Sequence, residues 1–337
     1  MTKSILILGG AGYIGSHTAV ELASGYDPVI VDNLSNAEPR VIKGIEKIVG
    51  KGVKFYKGDG CDEKFLRQVF KREKGIKGCI HFAAFKAVGE SMKEPLKYYE
   101  NNLGTLVTLL KVMESFKVSN FVFSSSATVY GQPDRLPITE DSPAQSAASP
   151  YGTSKLMSEK IIEDVVGASS NLKAVALRYF NPIGAHPSGH IGELPRGVPN
   201  NLVPFVTQAA AGLRKMVIFG KDYHTPDGTC IRDYIHVVDL AQAHFKALEF
   251  LQQKSDKSLY DVFNIGAGVG HSVLEIIQTF EAATGVKLNY EIGKRRAGDV
   301  EQIFASIDKA AKILGWTPQR SLKQALLDAW NWQKSLK

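Results

Sequence analysis

The sequence predicts an α/β chain built on a doubly wound parallel sheet, followed by a smaller α/β C-terminal domain. Three observations carry that expectation. Short apolar runs alternate with longer amphipathic stretches through the first half, the pattern of parallel strands joined by crossover helices. The runs are apolar throughout, as in Ile5-Leu6-Ile7-Leu8, which suits strands covered on both faces. After Phe180 the texture changes, with Pro182, Gly184, Pro187, Gly189, Gly192, Pro195, Gly197 and Pro199 crowding one segment.

In chain order, strands are expected over 4–8, 28–31, 53–56, 79–82, 121–124 and 174–179. Helical patterns fall between them over 13–23, 63–74, 95–116 and 151–166. The stripe Leu103, Leu106, Leu110 and Met113 on the 95–116 helix reads first as core. Residues 181–201 are too long and irregular for a tight connection and read as a functional loop. Beyond it, helices are expected over 238–252, 272–284 and 321–334. The chain thus divides into domains 1–180 and 181–337, and it is free to cross back near 230–260. No internal repeat is present.

Composition bounds the function. A chain of 337 residues with 44% hydrophobic content can bury a sizeable core. No apolar run approaches the ~18 residues of a membrane span, and the first ten residues do not resemble a secretory signal. The three cysteines, Cys61, Cys79 and Cys230, have no CxxC spacing, so neither a disulfide framework nor a zinc cluster is expected. A reduced, cytoplasmic protein is the expectation. The balance of 41 Lys+Arg against 34 Asp+Glu gives +7, compatible with nucleic acid or with an anionic small molecule. No basic run reaches five residues, and Lys71-Arg72-Glu73-Lys74 reads as a solvated helix face. No nucleic-acid partner is expected. His17 reads as packing or capping, and His81 as a satisfied strand histidine. His186, His190 and His224 lack ligand spacing, so no metal site is expected.

Two motifs carry chemistry. Gly9-Gly10-Ala11-Gly12-Tyr13-Ile14-Gly15 follows the first strand and opens the first helix. Each missing Cβ lets backbone approach a pyrophosphate or lets helix pack on strand, and the helix N-terminus favours an anion. Val29-Ile30-Val31-Asp32 then ends a strand in an acid twenty residues after Gly12. Such an acid accepts from ribose hydroxyls and repels a 2′-phosphate, which selects NAD over NADP; the alternative is a loop cap. Together these make the sheet Rossmann-type. The second motif, Tyr151-Gly152-Thr153-Ser154-Lys155, places a phenol and an ammonium on one helical face. The ammonium is expected to pull the phenol toward neutrality and make it a base for an alcohol. Upstream, Phe121-Val122-Phe123-Ser124-Ser125-Ser126 ends a strand in three hydroxyls, at the sheet edge where ligands bind. Ser126 is placed to share a proton with Tyr151.

With these residues in view, the chain resembles the extended short-chain dehydrogenases/reductases and, among them, the UDP-glucose 4-epimerase family. Segments 9–17, 82–91, 124–131, 151–157, 178–189, 199–202 and 232–237 carry the resemblance, which covers nearly the whole length. It implies reversible inversion at C4 of UDP-glucose and UDP-galactose through a 4-keto sugar, on tightly bound NAD. Tyr151 is then the base, Lys155 holds the nicotinamide ribose, and Ser126 bridges to the sugar hydroxyl. Gly9, Gly12, Tyr13, Ile14 and Gly15 cradle the cofactor. Asp32, Asn33 and Asn36 lie at the adenosine ribose, Asp59 and Gly60 at adenine, and Lys86 at the pyrophosphate. Phe82, Ala83, Asn101, Ser124 and Tyr179 line the rest. The nucleotide sugar meets Phe180, Asn181, Asn201, Leu202, Phe219, Arg232, Tyr234, Arg296, Asp299 and Ile303, besides Lys86, Ser126 and Tyr151. The two arginines suit a diphosphate, to which guanidinium presents planar donor forks. The resemblance also implies a homodimer.

Three other readings are distinguishable. A 4,6-dehydratase needs an acid and a base directly after the active-site hydroxyl residue, and here Ala127-Thr128 follow Ser126. A UDP-glucuronate 4-epimerase needs a cation for the C6 carboxylate. A catalytically silent NAD-binding protein would lack Tyr151 or Lys155. Ile303 stands at the family position that varies between Tyr and smaller residues. Its intermediate size leaves secondary action on UDP-GlcNAc and UDP-GalNAc as an expectation.

Overall fold

Alternate residues of a strand point to opposite faces, and here both faces are apolar. The structure, a computed structural model, describes residues 3–336 apart from 145, 146, 148, 169, 170, 297 and 298. The strands in chain order are β1 (Ser4–Leu8), β2 (Asp27–Asp32), β3 (Lys54–Lys57), β4 (Ile76–His81), β5 (Asn120–Ser124), β6 (Lys173–Tyr179), β7 (Asn181–Ile183), β8 (Met216–Phe219), β9 (Ile231–His236), β10 (Leu259–Ile265), β11 (Gly270–Ser272), β12 (Tyr290–Gly293) and β13 (Gln302–Ile303). The helices are α1 (Tyr13–Leu22), α2 (Arg40–Val49), α3 (Glu63–Arg72), α4 (Val88–Ser91), α5 (Pro95–Ser115), α6 (Pro150–Ala168), α7 (Leu202–Ala210), α8 (Val237–Gln253), α9 (Val273–Thr284) and α10 (Leu322–Ser335).

The central sheet is parallel, seven-stranded and ordered β10-β6-β5-β4-β1-β2-β3. Ile5, Ile7, Ile30, Val122 and Leu177 pack one face against α1, α2 and α8. Leu6, Leu8, Val31, Phe121 and Phe123 pack the other against α3, α5 and α6. The reversal of strand order beside β1 is where doubly wound sheets bind ligands. A third core joins Ile183, Val203, Ile276, Phe280 and Leu326 of the C-terminal elements. In the α5 stripe Leu106, Leu110 and Met113 are buried and Leu103 is half-buried.

Helix α2 and strand β10 lie outside the segments the sequence marks. Helix α2 is short, with Val41, Ile42 and Ile45 buried and Gly50 closing it at φ 74°. Strand β10 pairs along β6 from Leu259 opposite Lys173 to Ile265 opposite Tyr179, and α8 packs on α1. Residues 237–265 therefore complete the layer begun by residues 4–32. Among the described residues, no helix is long and apolar enough to cross a membrane.

Candidate active site

The carboxyl ends of β1, β4, β5 and β6 meet at one edge of the sheet. Gly9 N–H bonds the Val31 carbonyl, and Phe82 and Ala83 both donate to the Leu8 carbonyl. The two turns lie so close that a Cβ on Gly9, at φ 81°, would stand 2.6 Å from Ala83 N. A Cβ on Gly15 would stand 2.4 Å from the Gly9 carbonyl, so α1 rests directly on the turn. Helix α1 begins at Gly12 with no side-chain cap and no acid in its first turn, which leaves its leading amides for an anion. Tyr13 OH donates to the Gly184 carbonyl at 2.7 Å and ties α1 to the 181–201 segment; Ile14 beside it is half-buried.

Asp32 does cap its loop, accepting from Leu34 N at 2.8 Å on one oxygen and from Ala11 N at 3.0 Å on the other. The Gly12 amide also bears on the carboxylate, and the acceptor capacity that remains suits a ribose hydroxyl. Burial raises its pKa, and these backbone donors oppose the rise. Asn33 and Asn36 are exposed on the same loop, where Ser35 N donates to Asn33 Oδ1. Asp59 is exposed and accepts from Cys61 N, while Gly60 is buried against Leu8. The uncapped helix, the glycine cradle and a carboxylate with spare acceptors fit a dinucleotide without a 2′-phosphate.

The catalytic candidates converge on the end of β5. Ser126 Oγ accepts from Thr128 N and Thr128 Oγ1, capping the 3₁₀ turn Ala127–Tyr130. Its one hydrogen is left unused by these contacts, and Ser126 bears on the nearby Tyr151 phenol, pulling it down against the effect of burial. Lys155 is 3% exposed; its Nζ donates to the Ser124 carbonyl at 2.7 Å and lies 6.0 Å from the Tyr151 ring centroid. Tyr179 OH and Ser124 Oγ share a 2.7 Å hydrogen bond, and the rings of Phe82 and Tyr179 flank buried His244. Asn101 donates to Asn102, whose own amide staples the Phe85 backbone to Ser154 at the start of α6.

The electrostatics differ from the sequence expectation. Burial raises the Tyr151 pKa well above its ordinary value, and burial lowers Lys155 to about 7. The phenol is not pulled toward neutrality here, because both groups are desolvated and the amine is itself close to losing its proton. Beneath them lies a buried network that sequence reasoning missed. Glu159 takes Arg178 NH2 at 2.6 Å and Nε at 3.0 Å, and also accepts from Ser125. Arg178 NH1 reaches Tyr130 OH at 3.0 Å, and Tyr130 in turn donates to Asn264 on β10. The signal was available: Glu159 follows Lys155 by one helical turn, on the Tyr151 face.

A second group gathers cations and acids. Arg232 and Arg296 share Asp299 Oδ1, at 3.7 and 2.7 Å. Asp233, next to Arg232, is fully buried and accepts from Ala267, Gly268 and Ala305 amides. Tyr234 is buried in the C-terminal core, while Phe219 is half-exposed at the end of β8, beside the strand that leads to Arg296. Lys86 and Asn201 meet on Glu193, at 3.2 and 2.6 Å. Leu202 next to Asn201 is half-buried, and Asn181 is exposed. Ile303 packs with Phe180 and Ala127 in a small apolar cluster. The segment 181–201 is pinned by Arg196, which donates to the Leu34, Ser35 and Ala37 carbonyls of the Asp32 loop.

The chain is similar to known proteins over nearly its whole length. A family model described as GDP-mannose 4,6 dehydratase matches residues 6–328. The chain is 50% identical over 334 residues to a UDP-glucose 4-epimerase of Bacillus subtilis, covering 98% of this chain and 97% of that one. It is 48% identical over 334 residues to a UDP-glucose 4-epimerase of Haemophilus influenzae, covering 98% of each. Among solved structures, the UDP-glucose 4-epimerase from Bifidobacterium longum in complex with NAD+ and UDP superposes with a TM-score of 0.94 at 47% identity, covering 99% of this chain and 98% of that chain.

Proposed function

Because the chain belongs to the UDP-glucose 4-epimerase family of extended short-chain dehydrogenases/reductases, we propose that it interconverts UDP-glucose and UDP-galactose by inverting C4. The observation that carries this reading is the gathering of buried Ser126, Tyr151 and Lys155 at the carboxyl end of β5, with Lys155 Nζ held on the Ser124 carbonyl and 6.0 Å from the Tyr151 ring centroid. Tyr151 takes the proton of the sugar 4-hydroxyl through Ser126 and returns it after the 4-keto sugar has turned over. NAD, when bound, supplies the hydride acceptor and gives the hydride back, so net redox is zero. Lys155 holds the nicotinamide ribose, and its ammonium form steadies the phenolate.

The glycine cradle, Asp32, Asn33, Asn36, Asp59, Gly60 and Lys86 take the dinucleotide, within a unit made of residues 1–180 with α8 and β10. The remainder of 181–337 holds the nucleotide sugar. Arg232 and Arg296 engage its diphosphate, and Asn201, Leu202, Phe219 and Tyr234 surround the nucleoside. The family model's dehydratase description does not carry that chemistry over. The residues after Ser126 are Ala127, buried against Ile303, and Thr128, which donates to Ser126; neither is an acid. Ile303 leaves room for secondary turnover of N-acetylated sugars. A cytoplasmic homodimer completes the reading, and its pairing is supported by Val88, Met92, Leu96 and Met157, exposed on α4, the turn after it, α5 and α6.

The test is direct. Purified protein with UDP-galactose and no added NAD is expected to form UDP-glucose. A preparation that contains bound NAD and forms none would refute the epimerase reading.

A further inference from the structure

One guanidinium from the second half of the chain closes on the loop that follows β2. Arg196 Nη1 donates to the Ser35 carbonyl at 2.5 Å, and Nη2 donates to the Leu34 and Ala37 carbonyls at 3.1 and 2.8 Å. Each carbonyl oxygen carries partial negative charge, and three of them turned to one point suit a planar cation with several donors. The loop has use for such a tie. Leu34 stands at φ 60°, left-handed backbone that a bulky side chain rarely adopts. Helix α2, which follows, begins after Pro39 with no side-chain cap.

Leu34 also joins this clasp to the Asp32 carboxylate. Its N–H donates to Asp32 Oδ1 at 2.8 Å, while its carbonyl accepts from Arg196. The other carboxylate oxygen accepts from Ala11 N at 3.0 Å, in the glycine cradle. Release of Leu34 would therefore free one oxygen of Asp32. The segment that carries Arg196 is anchored in the C-terminal elements. The Glu193 carbonyl accepts from Trp332 Nε1 of α10 at 2.8 Å, and the Gly197 carbonyl accepts from Arg214 Nη2 at 3.3 Å. A Cβ on Gly192 would stand 2.5 Å from the Trp332 ring, so this stretch lies directly on α10. The clasp thus pulls against fixed backbone.

We propose that Arg196 is a positioning residue that latches the C-terminal segment onto the Asp32 loop, and that opening of this latch sets how fast NAD leaves the enzyme. The proposal rests on the reading of Asp32, Asn33 and Asn36 as the adenosine-ribose residues. Asn33 and Asn36 bracket Leu34 and Ser35, two of the three clasped residues, so the ribose end of the cofactor is released when the clasp opens. A reaction that regenerates its cofactor in place gains from slow release, since a site that has lost NAD accepts no hydride.

The experiment uses the NAD-containing enzyme and reads two rates in the presence of excess NAD. One is exchange of the bound NAD for isotopically labelled NAD. The other is amide hydrogen exchange over residues 33–38. Arg196→Met keeps the apolar stem and removes the donors. It is expected to raise both rates about tenfold, a modest change because Arg196 is exposed and its contacts are screened. Its kcat on UDP-galactose at saturating NAD is expected to stay within about twofold of the parent. Faster hydrogen exchange with unchanged NAD exchange overturns the proposal, because the contact then only orders a loop. Faster NAD exchange with unchanged hydrogen exchange also overturns it, because the cation would then act on the dinucleotide directly. Two unchanged rates overturn it as well. Asp32→Ala is the control and is expected to exchange NAD at least as fast as Arg196→Met. Unchanged NAD exchange in Asp32→Ala overturns the adenosine-ribose reading, and the proposal with it. Should Arg196→Met fail to fold, Arg196→Gln, which keeps a single NH2 group, is read by the same two rates.

Discussion

Removing the charge of Glu159 tests what holds the catalytic helix to the sheet. Arg178 and Glu159 are 9% and 6% exposed at their side chains, and Arg178 reaches both carboxylate oxygens. Glu159→Gln keeps the shape but removes the counter-charge and turns an NH2 toward donors on one side. Breaking a buried pair from one end costs about 3–5 kcal/mol, because the remaining ion keeps its desolvation penalty. Counting the contacts gives a similar figure: two charge-assisted bonds at about 1.5–3 kcal/mol each. The second consequence is local. Glu159 is the charge that partly offsets the lowering of Lys155, so its loss drives the ammonium further down. The assay is urea denaturation of parent, Glu159→Gln, the singles Glu159→Leu and Arg178→Met, and those two combined. The single variant is expected to lose about 3–5 kcal/mol, and the double variant to recover most of it, since replacing both partners by apolar groups removes the buried charge altogether. A loss below about 1 kcal/mol, or a double variant that simply sums the two singles, refutes the reasoning.

Other expectations are briefer. Tyr151→Phe should retain bound NAD and lose turnover by about 10²–10⁴-fold, because binding and proton transfer are separate tasks; near-normal activity would remove Tyr151 as the base. Ile303→Tyr should lower the turnover of UDP-GalNAc relative to UDP-galactose by about tenfold or more, and an unchanged ratio would remove Ile303 as the gate. Burial lowers His17 and His81 to about 3 and His244 to about 4, each with one ring nitrogen unpartnered. The unfolded chain then holds more protons between those values and about 6.5, so stability is full above 6.5 and falls as pH drops, by up to about 1.4 kcal/mol per pH unit for each ring. His81→Gln should remove one ring's share of that slope in denaturant midpoints taken from pH 7 to 5; an unaltered slope would refute it.

The central sheet was legible because its strands are covered on both faces. Ile5 to Leu8 have no polar member to blur the run, and all four residues are buried. Strand β10 was not, because Leu-Tyr-Asp-Val-Phe-Asn-Ile interleaves polar residues along an edge strand that is only half covered at its start. Helix α2 escaped for a different reason: its apolar face is a few residues long, and its partners come from α1. At the site, residue types and spacing marked Tyr151, Lys155, Ser126, the glycines and Asp32, since local geometry places each of them. Glu193 and Arg196 were not legible, because their meaning lies in partners far along the chain, whereas Glu159 of the Arg178 network stood one turn from Lys155 and was passed over. Lys86 stands 107 positions from Glu193, and Arg196 stands 161 from Ser35. The charge state of Tyr151 failed for a third reason: a lysine four residues away is visible in a sequence, and burial of both groups is not.

The pairing of β10 with β6 also bears on how the molecule is made. A chain emerging from its N-terminus delivers β1 to β6 first, but Ile5, Ile7 and Leu22 still wait for Leu240, Ala247, Phe263 and Ile265 to cover them. Until then β6 has an open flank of main-chain donors and acceptors. The intervening residues, with the arginine-bearing β9, must be synthesised as one long loop before the sheet closes over its ends. The nucleotide layer and the segment carrying Arg232 are thus bound to reach their native state together, and a polypeptide halted before residue 265 holds an unfinished sheet rather than a finished half.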